Sequence, residues 1–241
     1  MLDPGSIPKY TTPLLIPPAM PRAGKVRIRG GKNADYYEIS LRQFSQQVLP
    51  AALPPTTLWG YGAVSGQRGQ ALLLHNAPSL TIEATAGTPV RVKWINGLVD
   101  EAGNHLPHLL PVDPTLHWAN PPGGEAHRDT RPEFDTTPGP YDGPVPMVTH
   151  VHGAVGVGDE SDGYAEAWYL PDAVDIPDHY AREGTWYGFF AAKANAAHGV
   201  EWGPGYATFQ YPNLDRASAN WYHDHTLGMT RLNVYAGPAG F

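Results

Sequence analysis

The sequence predicts an all-β protein, an antiparallel sandwich of short strands joined by long loops, and three observations predict it. Glycine and proline together number 53 (27 and 26) among 241 residues, which breaks helices and favours short strands between turns. Several runs alternate apolar with polar residues, the period of a strand with one buried face. Almost no stretch reads as a clear helix beside them. At 41% hydrophobic and 16% charged, the chain is folded and long enough for a substantial core.

Taken in order, residues 1–23 are proline-rich and aperiodic, an extended arm ahead of one domain over 24–241. Val26 and Ile28 alternate with basic residues, then Tyr37, Ile39 and Leu41 alternate in a second strand. The stretch Leu41–Leu49 reads as turning helical before Pro50, and Trp59 and Tyr61 read as core aromatics. Leu80, Ile82 and Ala84, then Gly87, then Val90, Val92 and Trp94 read as a strand pair. Residues 97–144 form a long loop region whose His105, His108, His117 and His127 read as surface or hydrogen-bonded residues, since no tight pair appears. Val145–Gly153 is strand-like, Gly153–Gly163 a glycine-rich acidic turn. Residues 171–205 offer a helical turn or two before Gly199, with aromatics that form no stripe; His179 and His198 there read as non-ligands. Tyr206–Pro212 and Ser218–His225 are further strands.

Chemistry concentrates in two pairs, His150-Val151-His152 and His223-Asp224-His225. In a strand, alternate residues share a face, so each pair points one way and Asp224 points the other. With 11 histidines present, chance supplies roughly half of one such pair, and two pairs in strand context favour metal binding. Cysteine is absent, which excludes disulfides, zinc-thiolate sites and any blue copper site within this chain. Imidazole suits zinc, copper, iron and nickel, so the histidines alone do not choose the metal. A cupin would place a glutamate soon after the pair, where this chain has Gly153-Ala154-Val155-Gly156 and Thr226-Leu227-Gly228-Met229. A zinc hydrolase needs a nearby carboxylate base, and Asp224 faces away.

A net charge of −7 without a basic cluster argues against nucleic acid as a partner. No stretch resembles a membrane-spanning helix. The opening residues lack the features of a signal peptide, giving a cytoplasmic leaning.

The stretches "HVHGAV…SDGYAEAWY" and "NWYHDHTLGMTRLNVYAGPAGF", with "LPPTTLWGYG" upstream, resemble the multicopper oxidases. The likeness is greatest to the branch of spore-coat laccase, bilirubin oxidase and phenoxazinone synthase, and it runs from about Tyr36 to Phe241. It implies a Greek-key cupredoxin sandwich and selects copper. It assigns His150 to a type 2 copper, and His152, His223 and His225 to a type 3 pair. Asp162 matches an acidic residue near the water path to copper, where it orders solvent or relays protons. Residues 171–205 look like an insertion relative to shorter members of the family.

The family's carboxy-terminal histidine motifs and its electron-accepting cysteine have no counterpart here, so no type 1 copper is expected. The chain reads as truncated at "NVYAGPAGF", the amino-terminal part of a split or cleaved enzyme. The expected partners are the carboxy-terminal cupredoxin domains as a separate chain or missing segment, O2, and a small aromatic reductant such as a phenol or aminophenol. Association between copies of the chain is left open. The rival reading is a stand-alone copper-binding module without turnover.

Overall fold

A computed structural model describes residues 3–64, 75–131 and 139–241. Two sheets carry the chain, with no closed barrel among the described residues. The larger contains β1 (Gly24–Arg27), β2 (Asn33–Gln46), β3 (Thr56–Ala63), β4 (Val90–Asn96) and β6 (Tyr206–Tyr211). The smaller is β5 (Thr149–His152), β7 (Trp221–Asp224) and β8 (Ala239–Gly240), in the order β5-β7-β8. Helices are few: α1 (Gly124–His127), α2 (Tyr187–His198) and α3 (Thr230–Ala236). No described helix is long and apolar enough to cross a membrane.

The all-β expectation agrees with this architecture, but the pairing is not uniformly antiparallel. β2 pairs with β1 and β3 antiparallel and with β4 parallel, from Asp35↔Val90 to Leu41↔Asn96. Two local readings are corrected. Leu41–Leu49 is no helix: β2 continues through Gln46, because eight residue pairs with β3, from Ile39↔Ala63 to Gln46↔Thr56, satisfy its backbone. Leu80–Ala84 does not pair with Val90–Trp94; Thr81 instead bridges Ala19, with Met20 N donating to Thr81 O at 2.7 Å.

The core fills the space between the sheets. Tyr61 from β3, Trp94 from β4 and Tyr222 from β7 meet edge-on or tilted at ring-centre distances of 5.4–5.5 Å, and all three are buried. Such rings give about 2–3 kcal/mol each through burial and more through edge-to-face contact. Trp59, Trp168, Tyr169 and Phe209 extend the cluster. Tyr222 matters most for function, since it ties the small sheet to the large one from the strand that carries two of the histidines. Its neighbours Trp221 and His223 therefore face away from the core.

Helix α2 lies within 171–205 and runs three turns, more than the sequence reading allowed. Its buried face is Tyr187, Phe190 and Ala194, while Phe189 and Trp186 stay exposed. The exposed aromatics hide the stripe from a sequence reading. Gly199 ends the helix in the left-handed region (φ 63°, ψ 38°), with its N–H returned to Asn195 O, a conformation glycine adopts freely.

Candidate metal centre

β5 and β7 run antiparallel with His150 directly opposite His223 and His152 opposite Trp221. His225 lies one residue past β7, where its N–H continues the ladder to Val148 O at 2.7 Å. Strand alternation then aims all four imidazoles to one side. Ring centres stand 5.6 Å apart for His150–His152, 5.6 Å for His150–His223, 5.0 Å for His150–His225 and 5.9 Å for His223–His225. One nitrogen from each of His150, His152 and His223 falls within 4.8 Å of the others.

The hydrogen bonds decide which nitrogens are free. His223 donates from Nδ1 to the Asp224 carbonyl at 2.8 Å. Its Nε2 is buried with no partner among the described residues. His150 donates from Nδ1 to the Asp162 carbonyl at 2.5 Å, which leaves Nε2 as the lone-pair nitrogen. His225 Nδ1 is likewise buried without a partner among the described residues. Burial holds His223 below the ordinary imidazole range, outweighing its hydrogen bond to Asp224 O. Burial, with charge on neighbouring His150 adding to it, does the same for His225. Burial that favours the neutral form of His223 and His225, beside nitrogens of His150, His152 and His223 that lie within 4.8 Å of one another, makes a donor set a divalent metal can use, so these residues fit such an ion.

Trp221 closes one flank. It stacks on His223 at 4.0 Å and 28°, and stands 5.4 Å from His152. Its other surroundings are a cleft of about 410 Å³ lined by Val151, Val155, Tyr211 and Phe241. Asp162 sits on the opposite flank, its side chain exposed and its Oδ1 3.4 Å from His150 Nδ1. The main-chain carbonyl of Asp162 makes the closer contact, a role its side-chain type did not announce. Gly163 follows at φ +77°, where a Cβ would stand 2.2 Å from Thr149 O. The acidic loop lies flush on β5 because that residue has no side chain.

Sequence reasoning placed Asp224 opposite the histidines and assigned it nothing. It is fully buried, and its carboxylate accepts from Val148 N (3.2 Å), Thr226 N (3.1 Å), Thr226 Oγ1 (2.8 Å) and Asn233 Nδ2 (3.0 Å). It thereby pins β7 to the segment entering β5 and to α3. Burial still lifts its carboxyl to about 6, against the pull of those donors. A charge forced to the core face of a strand was the available signal.

Of the remaining histidines, His117 Nε2 meets Asp129 O at 3.0 Å, in line with a hydrogen-bonded role, while His105 donates from its main-chain N–H to Asp175 Oδ1 at 2.8 Å and its Nδ1 stands 2.9 Å from Asp175 Oδ2. His108 departs from that reading. It is enclosed between Trp59 and Tyr141 (5.9 and 5.7 Å), and both ring nitrogens are buried without a partner among the described residues.

No family model matches the chain. Its sequence is 32% identical over 213 residues to a laccase of Bacillus subtilis (strain 168), covering 88% of this chain and 30% of that protein. It is 33% identical over 238 residues to a laccase of Haloferax volcanii, covering 98% of this chain and 30% of that one. A solved multicopper oxidase from Pediococcus acidilactici overlays with a TM-score of 0.48 at 18% identity, over 97% of this chain and 29% of that structure. The chain thus spans about 30% of the length of the curated relatives it matches. With a two-sheet fold and four converging imidazoles, it belongs to the multicopper oxidase family, as an amino-terminal cupredoxin-like portion.

Proposed function

We propose that this chain supplies half of the ligands of an oxygen-reducing copper cluster, in an enzyme that oxidises phenols or aminophenols. His150 would hold a type 2 copper; His152, His223 and His225 would hold a type 3 pair. The other ligands and the site of substrate oxidation would come from carboxy-terminal cupredoxin domains. Copper held in the cluster would supply the four-electron chemistry by which O2, with four protons and four electrons taken from the phenol or aminophenol, becomes two molecules of water. The similarity to laccases and to a plant multicopper oxidase supports copper over the other metals imidazole accepts.

The chain's own residues do three things in that scheme. His150 and His223 are locked in one ring form by carbonyl acceptors, so their free nitrogens present lone pairs. Asp162 holds an exposed carboxylate beside His150, suited to accept and release protons at Oδ1 or to order water. Trp221 stacks on the His223 ring and stands beside that of His152, steadying both rings.

The observation that carries the reading is the unpartnered, buried Nε2 of His223 among nitrogens that converge within 4.8 Å. Cu(II) titration of the chain, followed by calorimetry, tests it. Binding should weaken by at least about tenfold in His152→Ala and in His223→Ala. Equal binding by wild type and both variants would remove the assignment. Oxygen uptake with a phenol should be negligible for the chain alone; robust turnover would contradict the division of ligands.

A further inference from the structure

Helix α2 reaches the metal centre without touching it. Its last residue, His198, lies in a chain of hydrogen bonds whose direction is fixed from one end. Arg91 on β4 can only donate, and it gives Nε–H and Nη2–H to Gln210 Oε1 at 3.1 and 2.6 Å. Gln210 on β6 must then donate from Nε2 to His198 Nδ1 at 3.1 Å. His198 in turn donates from Nε2 to Glu160 Oε1 at 2.9 Å. Glu160 is only 6% exposed, so its carboxylate depends on that bond. The main-chain N–H of Gln210 also donates to the buried Ser161 Oγ at 3.0 Å.

These bonds anchor one side of the acidic loop to β6. Its other side is anchored to β5 by Gly163. At the near end, a Cβ on Gly158 would stand 2.3 Å from Glu160 Oε1, so the loop closes tightly over the carboxylate. Asp162 lies between Ser161 and Gly163, and its carbonyl is the acceptor that orients His150.

We propose that Arg91, Gln210, His198 and Glu160 form a positioning device for His150, through which helix α2 sets how that imidazole faces the metal. This rests on the reading of His150 as a ligand. Each of the four acts through the Asp162 carbonyl, and none reaches the cluster. The device also gives residues 171–205 a role: they bring to the site a histidine that binds a carboxylate instead of a metal.

The test is made first on the metal-free chain labelled with 15N-histidine. His150 Nδ1–H and His223 Nδ1–H should both give protected resonances. Glu160→Ala and His198→Ala should lose the His150 signal and keep that of His223, whose acceptor is the next residue of its own strand. Glu160→Gln keeps an oxygen acceptor for His198 and should restore the His150 signal. Cu(II) affinity should fall on the order of tenfold in Glu160→Ala and stay within about twofold of wild type in Glu160→Gln. Persistence of the His150 signal in both alanine variants would overturn the proposal. Joint loss of both signals would also overturn it, since that marks a general structural prop. Failure of the wild-type chain to bind Cu(II) would instead strike the ligand assignment, while the nitrogen signals still decide the positioning role.

Discussion

Asp224 takes four hydrogen bonds at the end of a strand only four residues long. Truncating it strands buried donors from three segments, so Asp224→Ala should destabilise the chain by about 3 kcal/mol or more, read as a shift in denaturant midpoint. Its orientation was legible, because alternation opposes it to His223 and His225. Its partners were not, since Val148 and Asn233 meet it only once β5 and α3 are folded against β7. His108 makes a second residue-scale case. Burial pushes its imidazole down to about 3, so the folded chain holds it neutral. The unfolded chain takes a proton near 6.5, so the stability that depends on a neutral His108 is intact above that pH and lost as pH falls toward about 3. Between pH 7 and pH 5 the wild type should lose about 2 kcal/mol that His108→Phe retains. Equal losses in equilibrium unfolding would refute it. Nothing in the spacing of His105, His108, His117 and His127 separates the enclosed ring from the hydrogen-bonded ones; only Trp59 and Tyr141, distant in sequence, do so.

At the scale of elements, β5 and β7 were readable because two His-x-His pairs can share a face in no other way. The tail of β2 was misread because Leu41–Leu49 carries no clean alternation, and its strand state depends on Thr56–Ala63 arriving as a partner. Helix α3, seven residues long and containing Val234, has weak propensity and rests on packing, with Leu232, Asn233 and Ala236 buried. The acidic loop is the element most sensitive to a single methyl group. Gly163→Ala meets both an unfavourable φ and the Thr149 carbonyl, and should cost about 2–4 kcal/mol. The same substitution should displace the Asp162 carbonyl and abolish the His150 Nδ1–H resonance. Gly199→Ala, with the same left-handed backbone but nothing nearer than 3.7 Å to its Cβ, should cost only about 1 kcal/mol. A larger loss from Gly199→Ala than from Gly163→Ala, by thermal unfolding, would show that the close approach to β5 does not govern the loop.

Across the whole molecule, the aromatic core spans both sheets while the histidines sit on the outer face of the smaller one. With no cysteine in the sequence, the chain loaded with Cu(II) should lack the intense visible absorption of a thiolate-copper bond, checked by optical titration. Such a band appearing on titration would contradict this. The separation of core from site has a further consequence, visible in the lone nitrogen of His223. That atom is buried with nothing to bond among the described residues, so without metal it works against folding. His223→Phe, which keeps a ring against Trp221, should raise metal-free stability by about 1 kcal/mol while removing the advantage conferred by Cu(II). Selection for thermal robustness alone would therefore favour an aromatic replacement at His223, and stabilising mutagenesis run without copper should recover His223→Phe.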